Sequence, residues 1–171
     1  MWRLVQVFSE IALHRCDPSE LPASRFLLSL TFVTCLTVGL ISLFISSPAA
    51  NLTGFIILES FFYLWFIWLV LVVFNRPNRF LQTAAALFGT ETLLSIIRMP
   101  IVAWVDATRT SGEGSAAGVF VYFLMLLWSI DVAGFVLSRA LQNAYFVGVL
   151  IVMGYVTISF TLRGYFFPVI S

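Results

Sequence analysis

The amino-acid sequence predicts an all-α protein, a polytopic transmembrane helical bundle of five spans led by an N-terminal amphipathic interfacial helix. Three observations predict it. Of 171 residues, 61% are hydrophobic and only 10% charged, whereas a soluble domain holds about half apolar and a quarter charged residues. The mean hydropathy is +1.03, and the 18 Phe suit an exterior facing hydrocarbon, where only apolar side chains escape a desolvation cost. The apolar residues also fall into segments of about 20, the length at which a helix rising about 1.5 Å per residue crosses a ~30 Å hydrocarbon core.

Residues 1–24 form the first unit. Leu4, Phe8, Ile11 and Ala12 share one helical stripe, with Arg3, Gln6, Glu10 and His14 largely elsewhere. This pattern reads as a short helix lying in the membrane interface, a helix packed on the other spans or a frayed segment being the open alternative. Asp17-Pro18 ends it, because proline confines the preceding residue to extended geometry.

Residues 25–171 form the bundle. The first span is read at residues 26–46; it is longer than the apolar core of a secretory signal and follows a structured segment, so it is expected to be retained. An uncharged turn at 47–53 leads to the second span, 54–74. Asn75-Arg76-Pro77-Asn78-Arg79 is short, basic and helix-breaking, and reads as a hairpin. The third span, 80–105, is long for a perpendicular crossing, and Pro100 is expected to kink or end it. Residues 106–118 read as the longest loop. Spans four and five are placed at 119–138 and 144–162; a four-span alternative makes these two a re-entrant hairpin.

Orientation follows from the arginines, since positively charged short loops stay in the cytoplasm. Arg3, Arg15, Arg25, Arg76, Arg79 and Arg139 fall on one side and only Arg109 and Arg163 on the other. This places the N-terminus inside and the C-terminus outside. The expected location is a bacterial cytoplasmic (inner) membrane, where the external sequon Asn51-Leu52-Thr53 is not a glycosylation site.

Four ionisable residues fall within spans: Glu59, Glu91, Arg98 and Asp131. Each costs ~2.5 kcal/mol or more in lipid unless neutralised or paired. Glu59 and Arg98 lie near the external edges of spans two and three, at a depth where an ion pair is expected. Glu91 and Asp131 come out near mid-depth. As a pair they could not both ionise and would suit proton transfer; alternatively Thr90, Thr92 or Arg98, the last two turns along the same face, satisfies Glu91.

Small residues at helix-packing spacing, Ala85 with Gly89, Gly134 with Ser138 and Ala144 with Gly148, permit close backbone approach. Arg79–Ala84 and Arg139–Ala144 share the pattern R-x-L-Q-x-A, each after a span with a central tryptophan, Trp65 or Trp128. This echo raises the reading of two hairpins in parallel orientation, as in repeat-built transporters, against chance similarity.

No P-loop, G-x-S-x-G or histidine-rich motif is present, so neither a metal nor a cofactor is expected. His14, the sole histidine, reads as amphipathic filler. All nine basic residues are Arg and the net charge is +1, which excludes a nucleic-acid footprint. Cys16 and Cys35 are separated by lipid depth and are not expected to join in a disulfide.

Leu-Pro-Ala-Ser at 21–24, Arg-Phe-Leu-Gln-Thr at 79–83 and Trp-Ser-Ile-Asp-Val-Ala-Gly at 128–134 resemble segments of small uncharacterised bacterial inner-membrane proteins. More distantly, spans two to five resemble the five-span Yip family, whose eukaryotic members act in vesicle traffic with small GTPases. The chain lacks the D-L-x-G-P segment of those proteins, so the resemblance implies no GTPase partner and transfers no functional residue.

The expected function is therefore non-enzymatic: an accessory subunit or scaffold in the bilayer, with a membrane-protein partner or a second copy of itself. The alternative is a small proton-coupled transporter or channel using Glu91 and Asp131, with Arg98 attracting an anion. An intramembrane enzyme on a lipid substrate is a third reading, which requires a water-accessible cavity opening onto those carboxylates.

Overall fold

The computed structural model describes residues 2–46, 50–110 and 115–166. Six α-helices account for most of them: α1 Trp2–Ala12, α2 Arg25–Ser46, α3 Ala50–Val73, α4 Phe80–Thr110, α5 Ala116–Leu141 and α6 Tyr145–Phe166. Helices α2 to α6 are each long and apolar enough to cross a membrane, so the chain is an all-α bundle of five spans. The re-entrant alternative fails on length, since α5 and α6 are separate helices of 26 and 22 residues.

Helix α4 is the central span, packed against α1, α2, α3 and α5. Its N-terminal half shows why: Thr83, Ala84, Ala85, Ala86, Leu87, Phe88, Gly89 and Thr90 are buried without interruption. A run rich in Ala, Gly and Thr lets backbones close in on every side, which drives association where lipid offers no hydrophobic gain. The buried hydroxyls return to their own helix, Thr83 Oγ1 donating to the Arg79 carbonyl and Thr90 Oγ1 to that of Ala86, both at 2.8 Å. Helix α5 packs on α4 and, most closely, on α6. There Gly134, Ser138 and Gly148 meet: a Cβ on Gly148 would lie 2.8 Å from the Ser138 nitrogen, and one on Gly134 would lie 2.6 Å from Val149 Cγ2. Ala144, expected in this contact, is exposed in the connector before α6, because the α5–α6 turn leaves it beyond the interhelical seam.

Helix α3 is tied to its neighbours mainly by rings. Tyr155 of α6 lies 4.7 Å from Tyr63 and 5.0 Å from Phe66, and Phe88 of α4 packs edge-on to Phe32 of α2 and Tyr63. Such pairs each add about 0.5–1.5 kcal/mol beyond burial.

The amphipathic stripe of α1 is covered by protein, so the alternative of a helix packed on the spans describes it. Phe8, Ile11 and Ala12 are buried against α4 and α5, and the Phe8 ring occupies the space over Gly89 where a side chain would stand. Gly89 thus serves α1 rather than a second span.

Helix boundaries depart from expectation in three places. Pro100 lies inside α4, which runs unbroken for 31 residues; a proline removes one i→i−4 bond, and the flanking turns hold the helix. The expected 106–118 loop shrinks to residues 111–115, of which 111–114 lie outside the described residues. Ser115 starts α5 early by accepting the Gly118 N–H at 3.0 Å. Residues 47–49 of the expected turn are likewise outside the described residues, and from Ala50 the chain is helical.

Candidate functional site

Arg98 faces Glu91 on its own helix. Its Nη2 lies 2.8 Å from Glu91 Oε1 and 3.0 Å from Ser95 Oγ, which itself donates to Glu91 Oε1 at 3.1 Å. Positions 91, 95 and 98 follow the helical repeat, so one face of α4 carries the whole network. From α5, Ser129 Oγ accepts a bond from Arg98 Nη1 at 3.4 Å. The expected Glu59–Arg98 ion pair is not made. Glu91 supplies Arg98 with a partner that needs no second helix to be ordered, and Glu59 instead accepts a bond from Ser159 Oγ of α6 at 2.6 Å.

Glu91 and Asp131 share no partner. Asp131 is two residues beyond Ser129, so it points to roughly the opposite side of α5 from the residue that meets Arg98. It accepts a hydrogen bond from the Tyr145 hydroxyl and lies 3.3 Å from His14 Nε2. The shared-proton pair is therefore not assembled.

His14 is a structural contact rather than filler. The C-terminus of α1 closes in a Schellman motif, with the His14 N–H donating to the Ile11 carbonyl and the Arg15 N–H to that of Glu10. This puts His14 at φ 59°, a left-handed conformation that histidine adopts more readily than most residues. The ring then stacks on Phe135 at a centroid distance of 4.2 Å. Trp128 Nε1 completes the docking by donating to the Ala12 carbonyl at 3.3 Å. Asn75 and Gln142 end α3 and α5 in the same left-handed way.

At the N-terminal end of α4, Arg79 Nη1 donates to the Arg139 carbonyl at 3.1 Å, and Gln82 Nε2 donates to that of Leu21 at 2.8 Å. The R-x-L-Q-x-A echo is not structural equivalence: its first copy opens α4, whereas its second ends α5, with Gln142 as the left-handed cap. Asp17 caps the short 3-10 turn Pro18–Glu20 by accepting the Ser19 N–H at 2.9 Å. Burial pushes its carboxyl up, but the Ser19 bonds and the charges of Arg139 and Arg79 outweigh this and hold it below the ordinary range. Burial, helped by a hydrogen bond with Glu20, pushes the Cys16 thiol up to about 11. Both cysteines are free thiols.

A cavity of about 510 Å³ opens beside the Arg98 network, toward the C-terminal end of α4. Every span contributes: Ser42 from α2, Phe55 and Glu59 from α3, Arg98, Val102 and Asp106 from α4, Tyr122 from α5 and Arg163 from α6. Of the sequence-predicted ionisable residues it gathers Glu59 and Arg98; Glu91 stands behind Arg98 and Asp131 lies elsewhere. Asp106 and Arg163 were legible only as charges flanking spans. Ser95, by contrast, could have been found from its i+4 spacing to Glu91. The carboxylates that an intramembrane enzyme would need, Glu91 and Asp131, do not line this cavity.

No protein family, curated protein or solved structure matches this chain.

Proposed function

We propose that the protein is a non-enzymatic component of a bacterial cytoplasmic membrane that works by association, as an accessory subunit or scaffold. The observation that carries this reading is the use of the intramembrane charges. Glu91 and Arg98 satisfy each other within α4, and Asp131 of α5 binds His14, just past α1, and Tyr145 of α6; the first contact neutralises charge on its own span and the second joins elements of the bundle. Glu91 and Asp131 share no partner, so they do not stand together as a proton-sharing pair. The clustering of Arg79 with Arg139 at one end of the bundle supports an orientation with the N-terminus in the cytoplasm and the C-terminus outside.

The test is purification of the tagged chain in mild detergent at native expression, followed by mass spectrometry of what co-purifies. A stoichiometric membrane protein, or a defined homo-oligomer, is the expected result. A monomer with no associated protein would count against association.

The charged cavity favours a second reading, a small carrier. In proteoliposomes a proton-coupled carrier would lose flux on Glu91→Gln and Asp131→Asn, whereas a scaffold that folds would bind its partner unchanged.

A further inference from the structure

We propose that the external-end cavity binds a zwitterionic head group carrying a phosphate beside a primary ammonium. Glu59, Arg98 and Arg163 line this one cavity of about 510 Å³, yet no ion pair joins any two of them. Arg98 turns to Glu91 at 2.8 Å, Glu59 takes the Ser159 hydroxyl at 2.6 Å, and the Arg163 guanidinium lies 5.7 Å from the Phe55 ring centroid. A charge on a span is costly and is retained where a pairing or a polar guest requires it. Charges of opposite sign held apart around a void are completed by a guest bearing both signs.

The donor sets fit that guest. Guanidinium forks match phosphate oxygens. Arg98 uses three N–H groups on Glu91, Ser95 and Ser129, which leaves donors of its five to spare. Arg163 makes no side-chain hydrogen bond among the described residues, so its whole fork is available. The Glu59 carboxylate, with a single hydroxyl donor upon it, has lone pairs left to accept an ammonium. The volume falls in the range of about 300–1,000 Å³ typical of small-ligand sites.

A second cavity, of about 110 Å³, shares Phe55, Glu59 and Arg163 and runs between α3 and α6 to Phe160. Phe160 is exposed on the apolar exterior. This seam gives an acyl chain a route to the bilayer while its head group occupies the larger cavity. The same chemistry in a soluble phosphoamine would enter from the external end.

Native mass spectrometry of the full chain in non-ionic detergent tests the site, with phosphatidylethanolamine and phosphatidylglycerol offered in equal amounts. Retention of the amine lipid at least about tenfold over the glycerol lipid is expected, the worth of one charge-assisted hydrogen bond. Glu59→Gln should erase that preference, and Arg163→Gln should lower retention of both lipids by about tenfold. Free phosphoethanolamine that displaces the lipid and binds alone identifies a soluble ligand; failure to compete identifies the lipid, and either result supports the site. Equal retention of the two lipids, or an unchanged preference in Glu59→Gln, overturns it. Should Glu59→Gln lose its helical circular dichroism, Val102→Phe decides, because it fills the cavity and leaves every charge in place. Retention unchanged in folded Val102→Phe overturns the proposal, and loss of retention supports it.

Discussion

Arg98 reaches back two turns along α4 to Glu91, Nη2 to Oε1 at 2.8 Å, with Ser95 between them bonded to both. The Arg98 side chain is only 17% exposed and that of Glu91 35%, so the arginine depends on this carboxylate more than the reverse. Glu91→Ala should destabilise the bundle by about 1–3 kcal/mol, less than the loss from a fully buried pair because Glu91 is only partly buried. Thermal unfolding in detergent will measure it. Glu91→Leu combined with Arg98→Leu should recover most of the loss; a double variant as unstable as the sum of the single changes would contradict the pairing.

Gly148 and Gly154 stand six residues apart on α6, on different faces, and predict opposite outcomes. A Cβ at Gly148 meets backbone of α5, including the Ser138 nitrogen at 2.8 Å, whereas one at Gly154 meets nothing within 4 Å. Backbone cannot rotate aside as a side chain can. Gly148→Ala should therefore part α5 from α6 and lower the melting temperature, at a cost of about 1–3 kcal/mol. Gly154→Ala should be neutral or slightly stabilising, by up to about 1 kcal/mol of helix propensity. Equal melting temperatures for the two variants would remove this account of the α5–α6 seam.

The α1 dock turns on Phe8 over Gly89. Gly89→Ala would drive a methyl into the Phe8 ring and displace α1, exposing residues 1–15 to limited proteolysis. Phe8→Ala should cost about 3–5 kcal/mol as a cavity variant. In the double variant the new methyl partly fills the space that the ring vacates. The combined loss should fall short of the sum, and additivity would show that the two positions do not touch.

Asp17 predicts a pH dependence at the end of the bundle where α4 begins. Its folded carboxyl lies below the ordinary value of 3.8. The stabilisation is therefore fully present above that value and is lost as pH falls through the lower, folded one. Asp17→Asn should melt below wild type at pH 6, and the gap should close as the pH drops toward 2. A gap that persists unchanged at low pH would assign the effect to the cap hydrogen bond rather than to charge. The neighbouring Cys16 thiol, pushed up to about 11 by burial, should react with maleimide at pH 7.5 more slowly in the folded protein than after unfolding.

The sequence by itself determined the class of the molecule and the approximate bounds of its spans. Hydrocarbon admits only helices of sufficient apolar length, and that constraint is written locally in residues such as Phe26 to Ser46. The packing of Gly134 and Ser138 against Gly148 was legible for the same reason, since only small residues allow backbones so close. The Glu91–Arg98 contact was one of the partners the spacing offered, because i and i+7 share a face in any helix.

Tertiary structure decided what depends on helix rotation and on contacts distant in sequence. Spans apolar on every side carry no moment to orient them, so nothing local told whether Asp131 faced Glu91 or His14, or whether Glu59 met Arg98 or Ser159. Helix α1 has such a moment, yet its apolar stripe would suit lipid or protein equally; the notch at Gly89 directs it to protein. The cavity beside Arg98 is likewise a product of assembly. Glu59, Arg98, Asp106 and Arg163 lie on three helices far apart in the chain, and only packing brings their charges around one space.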